Sequence, residues 1–165
     1  MPAFGRRMQI AATFLAAAIP VQMARASQPP ADVCSLLPAP KVSKTLGSDY
    51  SPPEKHVAPR PYRDTVEGTD CTYRATGAGE TLLFRVYFDP SPSAATDLFA
   101  KLKMFYQPPT PVAGIGDEAY FDPRFGLHAR KGNVRFFLSF SHLSTVSQAQ
   151  AKQLKDLTAE VAGRL

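Results

Sequence analysis

The segment richest in residues that could do chemistry is a glycine-rich turn followed by two acids, Gly114-Ile115-Gly116-Asp117-Glu118. A phosphate-binding loop would carry the Walker lysine, and a dinucleotide-binding loop would carry the full Gly-x-Gly-x-x-Gly pattern. Either loop would precede a helix. This segment has neither and precedes a predicted strand. Adjacent side chains on a strand point to opposite faces, so Asp117 and Glu118 would not converge on a metal or a substrate. We therefore predict a tight turn in which the Asp117 carboxylate accepts local backbone hydrogen bonds.

Histidines and serines give no stronger indication of catalysis. His56, His128 and His142 are far apart and lack a ligand spacing such as His-x-x-x-His. We interpret His128 as a half-exposed strand residue. The Gly-x-Ser-x-Gly and Ser-x-x-Lys motifs of acyl-transfer enzymes do not occur in the sequence. The sequence thus predicts no catalytic residue, no metal site and no cofactor, and an enzyme with an unrecognised site stays open as an alternative.

A proline-rich segment at residues 48–68 is the candidate binding loop. It has no sustained periodicity, and its length is unusual for a connection inside a compact domain. An ordinary solvated loop is the alternative to a surface that contacts an anionic polymer or a protein. The residues that could make such contacts are Lys55, His56, Arg60, Tyr62 and Arg63.

The two cysteines, Cys34 and Cys71, are best explained as one disulfide bridge. In an exported chain of this size a single pair most simply closes one loop. A reactive thiol is the alternative, but it would need a nearby activating base, and neither cysteine lies in a motif that suggests one.

Export itself is predicted from the first 26 residues. Arg6 and Arg7 precede an apolar run over residues 8–23, and the pattern Ala24-Arg25-Ala26 follows. This is the layout of a secretory signal peptide, so we expect cleavage after Ala26 and a domain over residues 27–165. The twin-arginine route stays open beside the general secretory route. Cys34 lies beyond the run and is not in a lipobox, which predicts a periplasmic or secreted protein without a stable membrane span.

The charge balance argues against nucleic acid as a partner. Of the 19 lysines and arginines three lie in the predicted signal peptide, and none of the 14 acidic residues does. Residues 27–165 therefore carry 16 basic and 14 acidic residues, a net charge of +2. An excess this small does not provide the basic footprint that nucleic-acid binding requires.

The elements that must position these residues follow from apolar periodicity. Strands joined by tight turns indicate an antiparallel sheet, so we predict an α+β fold with about five antiparallel strands, amphipathic helices packed on one face and one disulfide. The predicted strands span residues 70–76, 81–88, 117–121, 126–130 and 134–141. The predicted helices begin near Asp32, Pro40, Ser91 and Ser147; Asp32 and Ser91 are expected to cap theirs, and Ser147 fits a capping box with Gln150.

The aromatic residues at regular spacing are expected to belong to the core. Phe136 and Phe140 alternate along one strand. The helix that begins at Ser91 is expected to bury the apolar residues at helical spacing. These are Ala95, Leu98, Phe99, Leu102, Phe105 and Tyr106.

Several short patterns resemble a known group of proteins. They are Cys34-Ser35-Leu36-Leu37, Cys71-Thr72-Tyr73, the stretch at residues 112–120 and the stretch at residues 127–133, with a C-terminal amphipathic helix. The order resembles small exported bacterial proteins and lipoproteins of a family of unknown function, distantly like extracellular sensor domains of bacterial serine/threonine kinases. The resemblance implies a one-domain α+β fold and a bridge between the first helix and the first strand. It implies no catalytic residues.

Taken together, the residues favour an exported, non-catalytic module that binds a ligand or partner in the cell envelope. The expected partner is an envelope protein or an anionic polymer. A small periplasmic enzyme and a purely structural accessory protein are the alternatives. A pocket with converging titratable groups would favour the enzyme, and a shallow apolar surface would favour binding to a protein.

Overall fold

A computed structural model describes residues 27–63, 65–77, 80–105, 109–124, 126–141 and 145–165. The predicted signal peptide, His142 and Tyr106 lie outside these residues. Within them no helix combines the length and the apolar character needed to cross a membrane.

The described chain forms a seven-stranded antiparallel sheet, two strands more than predicted. The spatial order is β1-β2-β3-β7-β6-β5-β4, so β7 lies at the centre and pairs with β3. The strands are β1 Glu54–Ala58, β2 Gly68–Arg74, β3 Thr81–Phe88, β4 Thr110–Pro111, β5 Glu118–Asp122, β6 Gly126–Lys131 and β7 Val134–Phe140.

The two strands that the sequence missed are the edges of the sheet. β1 lies inside the segment that was predicted to be a loop, and four of its five residues are exposed. A strand exposed on both faces shows no apolar alternation, so periodicity cannot detect it. β4 has two residues, and its Pro111 is tolerated because an edge strand does not need every backbone donor.

One face of the sheet, called here the core face, carries the apolar core. Alternate residues of β3 and β7, among them Phe84 and Phe136, pack there. The helices α1 Ala39–Leu46 and α3 Gln148–Arg164 cover it, with Val42, Leu154, Leu157 and Val161 fully buried. Burying a side chain of this size contributes about 1.5–3 kcal/mol.

The disulfide between Cys34 and Cys71 is confirmed, and it ties the start of the chain to the core face. Its Cα atoms are 5.7 Å apart, and both cysteines are buried. Cys34 lies in a 3-10 turn, Val33–Leu36, which Asp32 caps as predicted. The hydroxyl of buried Tyr73 donates to the Leu37 carbonyl, and burial raises the pKa of that hydroxyl.

The prediction that all helices share one face is wrong. Helix α2, Pro92–Lys103, packs on the opposite side, called here the α2 face. Its Phe99 ring lies 5.1 Å from the Tyr120 ring, and Tyr120 pairs with His128 on this second face. The expected cap Ser91 is present and accepts a hydrogen bond from the Ala94 N–H. The helix ends at Lys103, so Phe105 does not join its buried face and is 68 % exposed.

The first described residue is held by a side chain far along the sequence. The Ser27 N–H donates to Asn133 Oδ1 at 2.6 Å, and Asn133 Nδ2 donates to the Ser27 carbonyl at 3.0 Å. Asn133 is only 2 % exposed and also donates to the Asp89 carbonyl. The fold therefore holds the chain at residue 27.

Candidate ligand cavity

Four side chains of β3 and β7 form a square on the α2 face. Tyr87 is the cross-strand partner of Arg135, and Arg85 is the cross-strand partner of Phe137. Each arginine extends over the ring opposite it: Arg135 Cζ is 4.8 Å from the Tyr87 ring centre, and Arg85 Cζ is 5.7 Å from that of Phe137. Both distances suit a cation–π contact. We call this set the Arg–aromatic square.

Both arginines of the square are bound by aspartates. Arg85 Nε and Nη2 donate to the Asp70 carboxylate at 2.6 and 2.8 Å. Arg135 Nε and Nη2 donate to Asp89 at 2.5 and 2.9 Å, and both members of this pair are almost completely buried. A buried pair of this kind stabilises little in net terms, but removing one partner typically costs about 3–5 kcal/mol. The two guanidinium planes are therefore held in fixed positions.

A cavity of about 330 Å³ lies over the Arg–aromatic square. Helix α2 supplies Phe99 and Leu102 to its wall, and the chain after β1 supplies Pro59, Arg60 and Pro61. The Tyr87 hydroxyl donates to the Pro59 carbonyl at 2.8 Å, which attaches this wall to the sheet. The volume lies at the lower end of the range for small-molecule sites, and most of the lining is apolar.

The ion pairs and the burial of the Arg–aromatic square shift the pKa values of Arg85 and Tyr87. The hydrogen bond to Asp70 raises the pKa of Arg85, because the carboxylate favours the charged guanidinium. Burial raises the pKa of the Tyr87 hydroxyl, and the neighbouring Arg85 opposes that shift. Both groups therefore keep a single protonation state near neutral pH.

His128, which also lines the cavity, is not the half-exposed residue that was predicted. It is 8 % exposed and is stacked between the rings of Tyr120 and Phe137, with centroid distances of 4.7 and 4.8 Å. Desolvation lowers the pKa of His128 to about 3, so the imidazole is neutral at physiological pH. It behaves as a third aromatic ring and not as a proton carrier.

The predicted binding-loop residues do not share one surface. Arg60 lines the cavity and pairs with Glu67 at 3.2 Å, and Tyr62 approaches the Phe105 ring with centroids 6.5 Å apart. Arg63 is exposed. Lys55 and His56 are neighbours on β1, where adjacent side chains point to opposite faces of the sheet. Of the five, only Arg60 reaches the cavity.

A second cavity of about 370 Å³ shares Arg60 with the first in its lining. Its wall includes Asp89 and Leu98, together with Thr65 and Val66. Both of its charged residues, Arg60 and Asp89, are already members of ion pairs. It lacks the aromatic rings of the first cavity, which makes the first the stronger candidate.

Asp117 accepts one backbone hydrogen bond, but the donor belongs to the neighbouring hairpin and not to the local turn that was predicted. Its Oδ2 accepts from the Gly132 N–H and from Arg130 Nη1, each at 2.8 Å. Glu118 accepts from Lys103 Nζ at 2.9 Å and thereby joins β5 to the end of α2. Among the described residues, no group of three or more His, Cys, Asp or Glu side chains could hold a metal ion.

The sequence does contain a pattern that indicates the cavity, although apolar periodicity alone does not reveal it. In β3 and β7 one set of alternate residues is wholly apolar, while the other set contains Arg85, Tyr87, Arg135 and Phe137. Arginine alternating with an aromatic residue on two strands indicates a second, partly buried face, because a solvated face rarely needs large rings. The pairing of β3 with β7, which α2 and three strands separate in the sequence, was required to bring the four residues together.

Comparisons of the chain with protein-family models, with curated proteins and with solved structures found no match.

Proposed function

We propose that this protein is an exported, non-catalytic binding module of the cell envelope and that it takes a small ligand into the cavity over the Arg–aromatic square. The observation that supports this most directly is the cavity itself. It combines apolar walls, which favour burial of a ligand, with a few polar groups at fixed positions, which is the usual composition of a ligand site.

The lining supports binding over catalysis. Its polar members are arginines, Tyr87 and His128, and it contains no serine, cysteine or carboxylate among the described residues. His128 is neutral with a strongly lowered pKa, which makes it a poor general base. A nucleophile or a proton carrier would be needed for the enzymatic alternative.

Export is supported by the amino-terminal pattern and by the disulfide, since such bridges persist in oxidising compartments. The hydrogen bonds between Asn133 and Ser27 also support export, because they fix the residue that would directly follow the predicted cleavage position. The short motifs that resemble exported proteins of unknown function are a further, weaker support.

The ligand proposal is tested with a substitution that fills the cavity. Leu102→Trp adds a large ring to the cavity wall, and Lys101→Trp adds the same ring to an exposed position of α2. Each protein is mixed with a small-molecule extract of the envelope of the cell that makes it and measured by native mass spectrometry. We expect a ligand adduct on the wild type and on Lys101→Trp, and its loss from Leu102→Trp.

Export is tested separately: the protein recovered from the envelope of the same cell is measured by intact-mass spectrometry, and its mass should be that of a chain beginning at Ser27. The proposal is wrong if the wild type takes up nothing from the extract, or if Leu102→Trp binds the same adduct equally well. Recovery of the full-length chain alone would contradict the export part.

A further inference from the structure

The Arg–aromatic square also indicates the chemistry of the ligand. Asp70 and Asp89 use only the Nε and Nη2 edge of each guanidinium, so the Nη1 groups of Arg85 and Arg135 are not committed to these carboxylates. Both arginines line the cavity, and neither aspartate does. Each pair is therefore a dipole whose positive end faces the cavity.

Planar guanidinium groups match planar acceptors. A guanidinium presents its N–H donors in a rigid fork that suits a carboxylate better than a single ammonium group does. Both guanidinium planes are fixed, because they stack on Tyr87 and Phe137 and pair with the aspartates. Ligand binding would therefore immobilise little further side-chain motion and would cost little conformational entropy.

The charge balance limits how negative the ligand can be. Arg85, Arg135 and Arg60 are each matched by one acid, so the cavity has no unbalanced positive charge. A doubly charged phosphate would bring twice the negative charge of a carboxylate into a mainly apolar space that has no surplus positive charge, so it is the costlier anion to bury. The rings of Phe99 and Phe137 and the side chain of Leu102 favour an apolar or aromatic body instead.

We infer that the cavity binds a small monocarboxylate with an aromatic or compact aliphatic body, the carboxylate meeting the Nη1 groups of Arg85 and Arg135. This inference rests on the proposed function, because it names the ligand class of the same cavity.

The test uses three probes that share one body and differ in the head group: 2-naphthoate, 2-naphthalenemethanol and 2-naphthyl phosphate. Dissociation constants are measured by titration calorimetry or by NMR. We expect 2-naphthoate to bind at least about tenfold more tightly than either of the other two, a difference that one charge-assisted hydrogen bond can supply.

Two double variants separate head-group recognition from stability. Arg85→Gln with Asp70→Asn removes the charge of a cavity-lining arginine together with that of its partner, so no unpaired charge is left, and we expect it to lose the preference for naphthoate while still binding the alcohol. Arg74→Gln with Glu54→Gln makes the equivalent change in an exposed pair outside the cavity, and it should retain the preference.

The inference is overturned if the alcohol or the phosphate binds as tightly as naphthoate, if none of the three binds, or if the preference survives in the Arg85/Asp70 variant. These outcomes do not decide the proposed function, because the envelope-extract experiment with Leu102→Trp does not depend on the head group of any probe.

Discussion

At the scale of single residues, the α2 face shows how burial changes what a side chain can do. His128 would titrate near neutrality in water, but two stacked rings keep it neutral in the fold. Arg135, by contrast, is buried as one half of an ion pair, in which Asp89 satisfies one edge of its guanidinium. The surroundings therefore convert a typical proton carrier into an aromatic wall and a typical surface charge into a fixed donor.

Burial of His128 predicts a loss of stability in acid. Its pKa is about 3 in the fold against 6.5 ordinarily, so below pH 6.5 the unfolded chain binds one proton more than the folded protein. Stability is therefore complete above pH 6.5 and falls as pH drops towards 3, by roughly 1.4 kcal/mol per unit. Between neutral pH and about pH 4.5 the histidine contributes a loss of about 2–3 kcal/mol, measurable by urea denaturation.

His128→Phe keeps a ring in the stack and should remove this part of the acid dependence. The matched control His56→Phe replaces an exposed histidine and should behave as the wild type. If His128→Phe loses as much unfolding free energy between neutral pH and pH 4.5 as the wild type does, then His128 is not the source of the acid dependence.

At the scale of elements, local sequence determined most boundaries. The capping residues Asp32, Ser91 and Ser147 lie where they were predicted, and the capping box between Ser147 and Gln150 is present. These signals are local, since a cap or a turn glycine acts within one helical turn. The face on which α2 packs is a tertiary property, and its apolar stripe would suit either face of the sheet.

The cavity could be predicted only in part for the same reason. Arg60 is among the candidate binding residues, but nothing within their own strands distinguishes Arg85, Tyr87 or Arg135 as members of a site. Their significance depends on the register between β3 and β7, and no local pattern specifies that register across the intervening helix.

Glycines at strand and turn positions give a prediction at this scale. Gly126, the first residue of β6, has a φ of +113°, and a Cβ atom there would lie 2.2 Å from the Leu138 carbonyl oxygen of β7. Gly132, in the β6–β7 turn, has a φ of +57°, and a Cβ atom there would have no described atom within 4 Å. Gly126→Ala should therefore separate β6 from β7, whereas Gly132→Ala should carry only the cost of its backbone conformation.

We expect Gly132→Ala to lose about 1 kcal/mol of unfolding free energy and Gly126→Ala to lose at least about 3 kcal/mol, because a backbone clash adds to the strain. Urea denaturation of the two variants provides the comparison. Equal losses would show that β6 can shift to accommodate the methyl group.

At the scale of the whole molecule, the sheet separates two different environments. The core face is apolar and is closed by α1, α3 and the disulfide. The α2 face holds buried ion pairs, stacked rings and the cavity. Stability is thus concentrated on one side, which leaves the other side free to carry polar groups that contribute little net stability.

Removing the disulfide tests how far the core face depends on it. The bridge joins residues 37 positions apart, and the chain-entropy model gives a contribution of about 4 kcal/mol for a loop of this length. The double variant Cys34→Ala/Cys71→Ala should therefore unfold at a clearly lower urea concentration. Wild-type protein treated with a reductant should match the variant, and a variant as stable as the oxidised wild type would show that the core alone suffices.

The central position of β7 has a consequence for the order in which the protein can fold. A chain that emerges from its amino terminus first can pair β1, β2 and β3 early, and Cys34 and Cys71 are both present by then. β3 must then wait for β7, and Ser27 must wait for Asn133, 106 residues further along. Until β7 arrives, one long edge of β3 remains unpaired, and such an edge can pair with another chain. The interval between the emergence of β3 and that of β7 is therefore the period in which this protein is most exposed to aggregation and most in need of a chaperone.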